Sequence, residues 1–214
     1  YNSIGKKIEN KLKNVEVYEF GYSGYDLADQ LHLVYQYKSK FDLIDHVILY
    51  LKFENDLTRG EYGVLEERMR FQSSIYKNLI KIKLPVYLND IAAFTSVRQF
   101  TKRLLLRKPN TNSSEIVEDS ELTKRKNQKP IDNFKNLVAI YGYDKSKYVL
   151  LLDQSKTPEL FLDYLNENSF HFIDFGKSIN DSKLPTTLIY DKHWNNHGRK
   201  IIAKTIADYI SQVL

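Results

Sequence analysis

The chain has 214 residues, 42% of them hydrophobic and 28% charged, with eight Gly and five Pro, a make-up that excludes a fibrous or disordered protein and suffices for one domain with a real core. It has no Cys, which excludes disulfides, thiolate zinc sites and a Cys nucleophile, and no apolar run long enough for a membrane span. The net charge of +5 is concentrated in residues 101–130, with eight basic and four acidic side chains and no interleaved aromatics, which reads as solvated surface rather than a nucleic-acid footprint.

Asn2 to Lys13 is expected to form an amphipathic helix with Ile4, Ile8 and Leu12 on one face. The alternation in Val15-Glu16-Val17-Tyr18-Glu19-Phe20 predicts a strand, which runs into a turn at Gly21-Tyr22-Ser23-Gly24. A second helix is expected over Tyr25 to Phe41, with Leu27, Leu31, Val34 and Tyr35 facing inward. His46 to Phe53 is apolar without strict alternation, as in a parallel strand covered on both faces, and Glu54-Asn55-Asp56-Leu57 follows at its C-terminal end.

Residues 61–107 read as mostly helical, interrupted at Pro85, and residues 108–130 as a polar loop or insertion closing at Pro130. A helix from Ile131 to about Tyr141, a buried strand at Tyr148–Leu152, a helix over Pro158–Asn166 and a strand at Phe170–Asp174 complete the pattern. Alternating helices and buried strands predict an α/β fold with a mainly parallel central sheet, in which ligands bind beyond the carboxyl ends of the strands.

The chain closes on Tyr190-Asp191-Lys192-His193-Trp194-Asn195-Asn196-His197-Gly198 and a helix carrying Ile201, Ile202, Thr205, Ile206, Tyr209 and Ile210 at helical spacing. Either Asn195 or Asn196 suits the cap of that helix. An Asp two residues before a His supplies what general-base chemistry needs, a carboxylate that orients the imidazole and steadies its charge. Trp194 suits either a lid over this motif or a stacking surface for a sugar. Ser23 reads as a turn serine, because the Gly-x-Ser-x-Gly nucleophile pattern fails at Tyr25. His32, His46 and His171 read as ordinary helix or strand residues.

Three stretches in order resemble the SGNH (GDSL-like) esterase and acyltransferase superfamily: Phe20-Gly21-Tyr22-Ser23-Gly24-Tyr25, the run from Val47 to Asn55-Asp56, and Asp191-x-His193 before the last helix. The His-Trp-Asn-x-x-Gly continuation resembles relatives that handle O-acetyl groups on polysaccharides. The resemblance implies a three-layer α/β sandwich, SGNH- or flavodoxin-like, spanning residues 1–214 as a single domain. It implies an esterase or O-acyltransferase acting on an acylated small molecule or carbohydrate, with O-acetyl on a carbohydrate as the favoured case. His193 would be the general base and Asp191 its partner. Gly24 N–H and the Asn55 side chain would be oxyanion-hole donors, with no metal or cofactor. The resemblance also leans toward a secreted or cell-envelope protein.

The chain departs from the family at one point. The Gly-Asp-Ser block that carries the nucleophile occurs nowhere in the sequence. Because the chain starts at Tyr1, inside the helix that follows that block in the family, the catalytic Ser and its strand are expected upstream. Two other readings use the same residues: a non-catalytic SGNH-like module that binds glycan or protein, and a metal-dependent hydrolase built on Asp191, His193 and His197.

Overall fold

The computed structural model describes residues 3–21, 24–65, 119–188 and 193–213. The chain divides into two compact units, Tyr1–Tyr62 with Glu121–Leu214, and Gly63–Ser120. Of the second unit only residues 63–65 and 119–120 are described, so the expectations for residues 66–118 lie outside the described residues.

The first unit opens with α1 (Ile4–Glu9), shorter than its amphipathic pattern. The Ser3 hydroxyl accepts from Lys6 N at 3.2 Å and so caps the helix. The inward face is the expected one: Ile8 is buried, and Ile4 and Leu12 pack beside it. Residues 15–18 keep the predicted alternation, with Val15 and Val17 against the core and Glu16 and Tyr18 exposed, but Glu19 and Phe20 are both exposed, and residues 15–20 join no strand ladder among the described residues. Alternation chooses which face is buried; a ladder also needs a neighbouring strand. Here Val17 N donates instead to the Glu9 carboxylate at 3.0 Å.

The predicted second helix is two pieces, α2 (Leu27–Gln36) and α3 (Lys38–Phe41), because Tyr37 at φ −108°, ψ 28° leaves the helical region between them. Leu27, Leu31 and Val34 are buried as expected. Tyr35 is not: it is 53% exposed, with its ring meeting Tyr141 edge-on at 5.8 Å.

Three parallel strands, β1 (Val47–Tyr50), β2 (Tyr148–Leu152) and β3 (Phe172–Asp174), lie in the order β1-β2-β3 among the described residues. Val47 pairs with Tyr148, and Leu150 with Phe172. The single turn α4 (Phe53–Asp56) follows β1, and α5 (Asp119–Tyr141) leads into β2. Residues 119–130, expected as loop, form the first half of α5. Their Glu, Lys, Arg and Gln are strong helix formers however charged the segment is. Pro130 sits inside the helix and forfeits one backbone hydrogen bond, while Ile131, Phe134 and Leu137 beyond it are fully buried.

Helix α6 (Glu159–Glu167) connects β2 to β3; α7 (Gly176–Asn180) and α8 (Asn196–Val213) complete the unit. Successive residues of β2 enter different clusters. Leu150 and Leu152 pack with Leu27 and Leu31 of α2, Phe134 of α5, and Phe161 of α6. Val149 and Leu151 pack with Ile8 of α1 and with Ile202 and Ile206 of α8. This division explains why the strand sequences are continuously apolar. No helix among the described residues is long and apolar enough to cross a membrane.

Candidate active site

Two of the stretches that suggested chemistry meet the carboxyl end of β1: the Asn55 turn follows it directly, and Trp194 packs on Tyr50, its last residue. Past Tyr50 the chain keeps one more sheet bond, Leu51 N to Leu151 O at 2.9 Å, and then turns into α4. Asn55 therefore stands on a helical turn rather than on the strand exit itself, with its N–H donating to Lys52 O at 3.0 Å. Asp56 closes the turn, its carboxylate accepting from Lys52 N at 2.7 Å. Burial raises the Asp56 carboxyl above the usual Asp range, more than the Lys52 N–H and the Lys52 charge lower it.

Gly24 lies two residues before Asp26, the N-cap of α2, and has φ 79°, a left-handed conformation that suits glycine. Tyr22 and Ser23 of the same turn lie outside the described residues. Two side chains, Gln30 and Arg59, tie α2 to the β1 exit. Gln30 Nε2 donates to Tyr50 O at 2.9 Å, and the Arg59 guanidinium donates to Asp26 Oδ2 at 2.7 Å and to Asp26 Oδ1 at 2.9 Å. Arg59 also reaches Asp29 Oδ1 at 2.7 Å.

At the carboxyl end of β2, the buried Asp153 accepts from Ser155 N at 3.1 Å and from Ser155 Oγ at 2.6 Å, and pairs with Lys156. Burial pushes the Asp153 carboxyl up, but the bonds from Lys156 and Ser155 and the Lys156 charge outweigh it and hold the group below its ordinary value. Asp174, ending β3, accepts from Gln154 N at 3.0 Å and Gly176 N at 2.8 Å. The two carboxylates crowd Gly176, where a Cβ would fall 2.0 Å from Asp153 Oδ1. The Tyr50 hydroxyl is raised well above its ordinary value, first by burial and then by the charges of Asp56 and Asp153.

The closing motif reaches this end of the sheet through Trp194. Its ring meets Tyr50 at 5.3 Å and Phe175 at 5.3 Å, both edge-on, so the indole packs inward on the strand ends. His193 beside it is exposed, and its carbonyl accepts from Leu188 N at 2.9 Å. Asn195, not Asn196, caps α8: Asn195 Oδ1 accepts from Gly198 N at 2.9 Å. The same amide donates to Pro185 O at 2.7 Å and Thr187 O at 3.0 Å, which fastens the loop that carries His193 to the helix. Asp191 lies outside the described residues. His197 Nε2 is 2.9 Å from Ser182 Oγ, so its ring is engaged with that loop serine.

The α4 turn with Asn55 and Trp194, the neighbour of His193, thus both lie at the carboxyl end of β1, while Gly24 is tied to it through Asp26 and Gln30. A shallow cleft of about 290 Å³ between Gly60–Glu61 and the Asn133, Asn136, Ala139 and Ile140 side of α5 is lined by none of them. Sequence reading missed Arg59, Gln30, Tyr50 and Asp153. Asp153 carried a signal, since it directly follows a buried strand as Asn55-Asp56 nearly does. No family model, curated protein or solved structure matches the chain.

Proposed function

We propose that this chain is part of an SGNH-type hydrolase or acyltransferase domain, a three-layer α/β sandwich that cleaves or transfers an ester-linked acyl group, with O-acetyl on a carbohydrate as the favoured substrate. The observation that supports the reading is the packing of Trp194, the neighbour of His193, on Tyr50, the last residue of the strand that leads into the Asn55 turn. The two clusters on either side of β2 support the layered architecture.

In this mechanism a Ser nucleophile, for which no Gly-Asp-Ser block stands in these 214 residues, attacks the acyl carbonyl while His193 takes its proton. Asp191 orients the imidazole and stabilises its charged form. The Gly24 N–H and the Asn55 amide donate to the oxygen as it becomes an oxyanion. Collapse releases the alcohol, protonated by His193, and leaves an acyl-serine. His193 then deprotonates water or an acceptor hydroxyl to discharge the acyl group. No metal or cofactor enters any step.

The test is labelling of the full-length protein with a fluorophosphonate, followed by intact mass and peptide mapping. One adduct on a Ser, lost in His193→Ala with folding retained, is the expected result. No adduct together with retained glycan binding would replace the enzyme by a non-catalytic binding module.

A further inference from the structure

We propose that Arg59 is a positioning residue for this site, a clamp that fixes the Gly24 turn and the Asn55 turn relative to each other so that their donors converge on one oxygen. The inference rests on the esterase reading for what the donors do, but the clamp itself is defined by geometry. Gly24 and Asn55 lie on different elements, and neither turn by itself dictates where the other sits. Arg59, four residues past Asn55, grips the start of α2, two residues past Gly24.

The grip includes Nε to Asp26 Oδ2 at 2.7 Å, Nη2 to Asp26 Oδ1 at 2.9 Å and Nη2 to Asp29 Oδ1 at 2.7 Å. The two carboxylates are the ones that build the reciprocal cap of α2, each accepting the other's backbone N–H at 3.1 Å. One guanidinium therefore sets both the helix start and its distance from the α4 loop. Asp26 and Asp29 are 5% and 6% exposed, so a partner with this planar fork is held far more firmly than a surface ion pair.

The segment that carries Arg59 is itself held. Asn133 Nδ2 donates to Leu57 O at 2.8 Å, Tyr62 N donates to the Tyr141 hydroxyl at 2.9 Å, and the Tyr62 ring stacks on His32 of α2 at 3.8 Å. Arg59 lies over the Tyr62 ring at 5.7 Å, which keeps its fork aimed at the α2 cap. Together with Gln30 on Tyr50 O, α2 is gripped at three points along its length from the β1–α4 side. Oxyanion stabilisation depends on donors fixed before the charge appears, and this is the arrangement that fixes them.

The experiment uses full-length protein, 4-nitrophenyl acetate as probe, and the variants Arg59→Gln, Arg59→Lys, Asn55→Ala and Arg59→Gln/Asn55→Ala. Arg59→Gln is expected to lower kcat by roughly 10- to 100-fold with KM nearly unchanged, the cost of donors displaced by about an ångström. Asn55→Ala should cost much less in the Arg59→Gln background than in the wild type, because the two act on one interaction. Arg59→Lys, which keeps the charge and folds if Gln does not, should recover part of kcat.

Amide hydrogen exchange supplies a readout free of activity: residues 24–30 and 52–57 should both exchange faster in Arg59→Gln. Full multiplicativity of the two substitutions, or unchanged exchange at both segments, overturns the clamp. A His193→Ala variant as active as wild type, or a wild type without turnover, instead removes the esterase reading, and the exchange result then decides the clamp by itself.

Discussion

Trp194 meets Tyr50 with ring centroids 5.3 Å apart and planes at 66°, an edge-on contact between the closing motif and the last residue of β1. These positions are far apart in sequence, and their contact brings the closing motif to the carboxyl end of β1. Trp194 is the single Trp of the chain, so its fluorescence reports on this contact alone. Trp194→Ala should destabilise the protein by about 3 kcal/mol, the low end for a large aromatic in a partly buried site, and lower kcat further than stability explains. Tyr50→Ala should shift the Trp emission to longer wavelength. Urea titration and emission spectra check both.

Asn195→Ala removes the cap of α8, worth about 1 kcal/mol, together with the bonds to Pro185 O and Thr187 O. A loss of about 2 kcal/mol in total is expected, since two carbonyls also lose a donor. Asn195→Asp should keep the cap but not those two donor bonds, and so fall between Ala and wild type in thermal melts.

Gly176→Ala places a methyl 2.0 Å from Asp153 Oδ1, and the carboxylate must move away from Ser155 and Lys156 to make room. A destabilisation of about 1–3 kcal/mol is expected from the overpacking. The same substitution made with Asp153→Ala should cost clearly less, which a double-mutant cycle in urea would show.

Stability should depend on pH in opposite directions at two carboxylates. Asp153 is held below its ordinary value, so in acid the unfolded chain takes up the proton first. The stability it contributes is present above about pH 3.9 and lost as pH falls through the lower folded value. Asp56 is raised, so the folded chain takes up the proton first, and its contribution is lost as pH rises from the ordinary Asp range through the raised folded value. Urea midpoints measured across acidic pH should lose the first dependence in Asp153→Asn and the second in Asp56→Asn.

The strands were the most legible part of the sequence. Continuous apolar runs at Val47–Tyr50 and Tyr148–Leu152 gave them away because the residues on each face enter a core of their own. The alternation of residues 15–20 predicted which side chains turn inward only as far as Tyr18, and it carries no information about a neighbouring strand. The charged stretch at 119–130 misled in the other direction, since composition spoke for loop while propensity favoured helix. Of the proposed site, Gly24, Asn55 and His193 stand in local motifs that the sequence displays. Arg59 and Gln30 do not, because a polar side chain that reaches across the fold leaves no periodic trace. The choice of orientation for Trp194 depended on Tyr50, the end of β1, and Phe175, just past β3, which only the folded sheet brings together.

Tyr141, at the last turn of α5, serves two neighbours at once: its hydroxyl accepts from Tyr62 N at 2.9 Å, and its ring meets Tyr35 and His32 edge-on. Replacing it by Phe therefore separates the two functions, releasing the Tyr62 backbone while leaving the ring contacts with α2 in place.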